Sequence, residues 1–186
     1  MNRENIVRGS MGALLFVALA FGAVADETDL GPVTSLKVDL EQVVELGTVS
    51  AVDGITSAGQ PDEAALEVFA DSGYATVIDL RGAGEDRGFD EAAVVDELGL
   101  HYVTLPIEGK DAISFENARK LDELLEEYPG PVLVHCGSGN RVGALLALRA
   151  SLDGADDESA MEQGRKGGLT GLDSVVGERL AESDEQ

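Results

Sequence analysis

The 186-residue chain has no tryptophan, one cysteine, two histidines and five prolines, and 13 lysines and arginines stand against 36 aspartates and glutamates. Each shortage excludes something. A single cysteine, Cys136, rules out an intramolecular disulfide framework. The only histidines, His101 and His135, lie in no His/Asp/Glu spacing typical of a metal site, so neither a metal nor an organic cofactor is expected. A formal net charge of −23 makes nucleic acid and anionic membrane poor partners. That acid falls mostly where helix faces are expected and at the tail, which reads as solvated surface. Uncharged apolar runs are short, with one exception over residues 9–25. Arg3 and Arg8 precede this run and Ala23-Val24-Ala25 ends it, the pattern of a secretory signal cleaved after Ala25, with an uncleaved anchor at the lower edge of spanning length as the alternative. The expected location is therefore periplasmic or secreted, with no stable membrane association once the signal is removed. Residues 26–47 read as an acidic leader, 48–182 as one domain, and 183–186 as a frayed tail.

What is present alternates. Residues 48–52 and 55–57 predict a hairpin around the Asp53-Gly54 turn. Further strands are predicted over 74–80, 101–105 and 131–135, and helices over 62–72, 90–98, from Ser114 to near Gly130, from Arg141 to near Gly154, up to about Lys166, and over 172–180. The class is α/β, a small mostly parallel sheet flanked by helices, with an N-terminal hairpin. Successive right-handed crossovers predict that the strands lie side by side.

The most informative stretch is Pro-Val-Leu-Val-His-Cys-Gly-Ser-Gly-Asn-Arg-Val-Gly, residues 131–143. Val132, Leu133 and Val134 predict a short buried strand, so Cys136 falls at its carboxyl end. The nearly all-apolar run after Arg141 predicts a helix buried on most sides. Between them, Gly137 and Gly139 let successive backbone N–H groups turn toward one point and form an anion-binding nest with Ser138 and Asn140, facing a helix amino terminus. The same field favours thiolate over thiol, which makes Cys136 a candidate nucleophile. Arg141 adds a planar fork able to hold two oxygens of an oxyanion at once. The basic segment 163–168 reads either as the complement of a helix carboxyl end or as a second anion contact.

His-Cys-Gly-Ser-Gly-Asn-Arg resembles the active loop of the cysteine-dependent phosphatases. With the upstream Thr-Ser-Ala-Gly-Gln-Pro and Val-Ile-Asp-Leu-Arg segments, the chain is most similar to the phosphatase-like domain called beta-lactamase-hydrolase-like, over roughly residues 49–180. The resemblance implies a phosphatase-like hydrolase that forms a cysteinyl-phosphate on Cys136. His135 supports the loop and residues 137–140 bind the oxyanion beside Arg141. It also implies an acid from the loop after the third strand, Asp111 ahead of Glu108, and a phosphorylated small molecule or protein as partner. Two departures keep other readings open. Four residues separate Cys136 from Arg141 where most of these phosphatases have five, a loop length that rhodanese sulfurtransferases use, and Val142 stands where many have serine or threonine. The alternatives are thus a rhodanese-like sulfurtransferase or a non-catalytic oxyanion- or partner-binding module.

Overall fold

A computed structural model describes residues 50–52 and 55–183; the signal and leader segments, the Asp53-Gly54 turn and residues 184–186 lie outside the described residues. Five strands form one sheet: β1 (Ser50–Val52), β2 (Ile55–Ala58), β3 (Thr76–Asp79), β4 (His101–Thr104) and β5 (Val132–His135). Their spatial order is β1-β2-β5-β3-β4, with β1 antiparallel to β2 and the other pairs parallel. The expected class is therefore found, but the strands do not follow one another in chain order. β5 comes last and inserts between β2 and β3. Its Val132, Leu133 and Val134 are buried on both faces, and a strand without a polar face belongs in the middle of a parallel sheet.

Among the described residues, six helices connect and cover the strands: α1 (Glu63–Asp71), α2 (Glu91–Glu97), α3 (Phe115–Glu127), α4 (Asn140–Leu152), α5 (Asp157–Lys166) and α6 (Asp173–Ser183). Four begin on a side-chain cap. Asp62, Asp90, Ser114 and Asp156 accept from the backbone N–H three residues on, which satisfies donors that a helix start otherwise leaves unpaired.

Strand alternation divides the core in two. Val132, Val134 and Cys136 point into a cluster with α3 to α6, whereas Leu133 joins Leu66 and Phe69 of α1 and Val95 of α2 on the opposite face. α4 has eight buried residues and hardly any polar face, because the sheet, α3, α5 and α6 all press on it. Each fully buried leucine there contributes about 1.5–3 kcal/mol relative to exposure. The helix that carries Arg141 is thus held on nearly every side.

Candidate active site

Cys136 follows the last residue of β5 and is 1% exposed, its thiol within the core cluster at the sheet's carboxyl edge. Its backbone is fixed from both sides: Cys136 N–H donates to the Ala58 carbonyl at 3.3 Å, and Leu80 N–H donates to the His135 carbonyl at 2.9 Å. An isolated antiparallel bridge ties Ser138 to Gly59, so the end of β2 and the segment that follows it brace the loop.

Unlike the four capped helices, α4 starts on Gly139 at φ 81°, and no side chain caps it. The left-handed conformation suits glycine. It leaves first-turn N–H groups of α4 for an anion, a site that the helix dipole also favours. The Asn140 side chain does not line this cradle. Its Oδ1 accepts from Thr170 N–H at 2.9 Å and Gly171 N–H at 3.0 Å, latching the loop after α5 to the start of α4. Asn140 can therefore serve an anion through its backbone only. The basic segment lies at the end of α5, where Lys166 pairs with Glu162 at 2.8 Å and Arg165 with Asp173 at 3.2 Å. Its glycines matter more. A methyl added at Gly143 would lie 2.2 Å from Leu169 N and one at Gly164 would lie 2.8 Å from Gly143 O, so α4 and the end of α5 meet backbone to backbone.

Arg141 is held by a residue that sequence reasoning did not single out. Glu85, in the glycine-rich loop after β3, takes Arg141 Nη1–H on Oε1 at 2.6 Å and Nη2–H on Oε2 at 2.8 Å. Nη1 also donates to the Ile107 carbonyl at 3.3 Å. A guanidinium has five N–H donors. These contacts use the Nη1–Nη2 edge and the outer Nη1–H, so the Nε–Nη2 edge remains for an oxyanion. Nη2 would lie 3.5 Å from a methyl placed on Gly137 and Glu85 Oε2 4.0 Å from it, so the guanidinium and its carboxylate partner both stand beside the cradle. Arg141's bidentate bond holds the Glu85 carboxyl down at about 2, and Glu85 in turn raises the Arg141 guanidinium above its ordinary value. Arg81, which donates from Nε to Glu85 at 3.3 Å, and Gly82 N–H, at 2.8 Å, complete the carboxylate's partners.

The loops after β3 and β4 wall an open cleft of about 480 Å³ lined by Gly84, Glu85, Ile107, Glu108, Gly109, Lys110, Arg141 and Leu172. Glu108 lies against Gly82, where a methyl would meet its Oε1 at 2.0 Å. Asp111, the acid implied by resemblance, does not line the cleft. Its side chain is fully exposed and stands 3.7 Å from Arg179 Nη2 of α6.

His135 is fully buried on the α1–α2 face. Among the described residues, Asp79, Glu91 and His135 are the one group whose metal-ligating atoms converge, all within 4.8 Å of one another. Asp79, however, already accepts from Arg87 Nε at 2.8 Å, Tyr102 OH at 2.8 Å and Arg81 N–H at 2.7 Å. A divalent cation sharing Asp79 would sit against the Arg87 guanidinium, 2.6 Å from that carboxylate. Like charges at that range oppose one another strongly in a buried site. The group fits a polar, charge-paired support for the strand end better than a metal centre. Glu91 went unnoticed in the sequence because an acid in the first turn of a helix ordinarily serves the helix dipole.

A cysteine at the end of the central parallel strand, a glycine nest on an uncapped helix and an arginine clamped at that helix's start define a domain of the cysteine-phosphatase class. Residues 42–169 match the model of the family described as DSP-PTPase phosphatase fused to NAD+ kinase, and the chain belongs to that family. It is 30% identical over 112 residues to a beta-lactamase hydrolase-like protein of Agrobacterium fabrum, covering 58% of this chain and 26% of the relative. A protein of the same description from Xylella fastidiosa is 36% identical over 101 residues, or 52% and 23% of the two chains. The chain thus spans about a quarter of the length of these curated relatives. A DUF442 protein from Shewanella putrefaciens CN-32 shares the fold at a TM-score of 0.57 and 18% identity, covering 77% of this chain and 97% of the other. P. aeruginosa TpbA, solved in complex with pTyr, superposes at 0.51 with 20% identity, covering 71% and 87%.

Proposed function

We propose that this protein hydrolyses phosphate monoesters through a cysteinyl-phosphate on Cys136, in a compartment reached by export. The observation that carries this reading is the Arg141 guanidinium, whose Nε–Nη2 edge Glu85 leaves unclaimed, interacting with Cys136 at the start of an uncapped helix. Together they present convergent donors where negative charge grows on a transferring phosphoryl group. The Cys136 thiolate attacks phosphorus, the ester oxygen departs with a proton from a carboxylic acid, and water then cleaves the S–P bond to release phosphate and regenerate the thiolate. Glu108, in the cleft beside Arg141, is better placed to give that proton than the exposed Asp111. The complex of TpbA with pTyr makes an aryl phosphate the first substrate class to test.

Turnover of p-nitrophenyl phosphate, lost in Cys136→Ser, with a cysteinyl-phosphate trapped by rapid acid quench and located by mass spectrometry, tests the chemistry. Glu108→Gln should slow alkyl phosphates more than the nitrophenyl ester, whose leaving group needs little protonation; a loss confined to Asp111→Asn reassigns the acid. The four-residue spacing favours one rival, a sulfurtransferase. Transfer of sulfur from thiosulfate to cyanide, with one added sulfur on Cys136 and no phosphate turnover, would establish it instead. Oxyanion binding with neither turnover would leave the non-catalytic module. Expression of the full chain in a bacterial host should give a periplasmic protein beginning at Asp26, read by amino-terminal sequencing; a cytoplasmic protein with its first residues intact removes the export reading.

A further inference from the structure

Resting on the phosphatase reading, we propose that Glu91 is a positioning residue for Cys136, acting through the His135 imidazole. Glu91 opens α2, yet it is only 1% exposed on a helix whose neighbours Ala92 and Ala93 face solvent. Burying a carboxylate is costly unless it is paired. Gln60 Nε2 donates to its Oε2 at 3.1 Å, and Arg87 Nε stands 3.7 Å from the same oxygen. The other oxygen, Oε1, stands 2.9 Å from His135 Nε2. Neither atom, nor His135 Nδ1, otherwise has a hydrogen-bond partner, so this close approach is what pairs the two buried side chains. Asp79, 3.8 Å from Nε2, does not compete, because Arg87, Tyr102 and Arg81 N–H already occupy it. Glu91 and His135 are therefore each other's outstanding partner.

The consequence for the thiol follows from the strand. His135 and Cys136 are consecutive and project to opposite faces of the sheet, so the ring and the thiol are two arms of one peptide unit. Gln60, from the segment that braces the nucleophile loop, also holds Arg81, so one polar chain links that loop, Glu91 and the floor beneath Glu85. Fixing the imidazole fixes the peptide from which Sγ departs toward the α4 start, an orientation on which in-line attack depends.

Glu91→Gln keeps the shape and removes the charge. It should lower kcat for p-nitrophenyl phosphate and the rate at which iodoacetate alkylates Cys136 by about tenfold to a hundredfold, the worth of a charged hydrogen bond. KM should move by less than about twofold, since no contact to substrate is lost. His135→Asn should do the same. The double variant should be no worse than either single, because both remove one linkage. Glu97→Gln, on the exposed end of α2, should change nothing. Losses that multiply in the double variant, or a change in KM alone, would overturn the proposal. The alkylation arm separates it from the parent reading: slowed alkylation with no phosphatase turnover in the wild type keeps Glu91 in place and removes the phosphatase, whereas unchanged alkylation in an active enzyme does the reverse. Should Glu91→Gln not fold, imidazole nitrogen NMR of the wild type decides, with a slowly exchanging proton expected on His135 Nε2 and a bare Nε2 counting against it.

Discussion

The Glu85–Arg141 pair gives the site its acid limit. The carboxyl titrates at about 2 in the folded chain, against about 4.3 for a free glutamate. A folded value below the unfolded one means that the unfolded chain takes up the proton first as pH falls. The pair's contribution is therefore complete above roughly pH 5 and is lost progressively as pH approaches 2. Urea melts of wild type and Glu85→Gln should differ at pH 7, with the gap narrowing as pH falls from about 5 toward 2; a gap that stays constant would show that the substitution acts through packing. At neutral pH, Glu85→Gln should also free Arg141 to rotate and lower kcat/KM about tenfold, one lost charged hydrogen bond. Cys136, Arg141 and the intervening glycines were legible in the sequence because one strand–turn–helix holds them all. Glu85 and Glu91 were not, since nothing local distinguishes them from surface acids, and Gln60 was read only as part of the Thr-Ser-Ala-Gly-Gln-Pro segment, without a role of its own. Their roles arise where loops from separate strands meet.

Among the elements, α4 and α5 are joined where neither helix has a side chain. Gly143→Ala places a methyl 2.2 Å from Leu169 N and 2.5 Å from Gly164 O, and backbone cannot yield as a flexible side chain can. It should destabilise the fold by about 1–3 kcal/mol, the usual size of an overpacked contact. Gly177→Ala, inside α6 with nothing within 4 Å of the new methyl, should stabilise it by about 0.5–1 kcal/mol through helix propensity alone. Chemical denaturation of the two variants checks both signs, and equal effects would remove the close-packing argument. Helix positions were legible from caps and apolar spacing, and the predicted start at Ser114 matches the capped α3. Strand order was not, because hydrophobic pattern says that β5 is buried without saying between which neighbours.

At the scale of the molecule, the net charge of −23 dominates. Like charges repel across the compact surface and salt screens them, with a Debye length of about 10 Å at 0.1 M falling to about 3 Å at 1 M. The melting temperature should rise from low salt to 1 M sodium chloride, measured by circular dichroism; a fall would show that ion pairs such as Arg149–Asp122 outweigh the repulsion. The same field disfavours approach of an anionic substrate, so KM for a phosphate ester should fall as salt is added.

The strand order has a consequence in time. During synthesis β2, β3 and β4 emerge well before β5, and until it arrives β2 has no parallel neighbour and one edge of β3 stands open. Pairings between segments so distant in the chain close slowly. Because β5 ends on Cys136 and runs straight into α4, the strand that completes the sheet and the loop that binds the anion are threaded together. A nascent chain stopped short of residue 132 would hold neither a finished sheet nor a cradle, and the nucleophile comes into being in the same event that closes the fold.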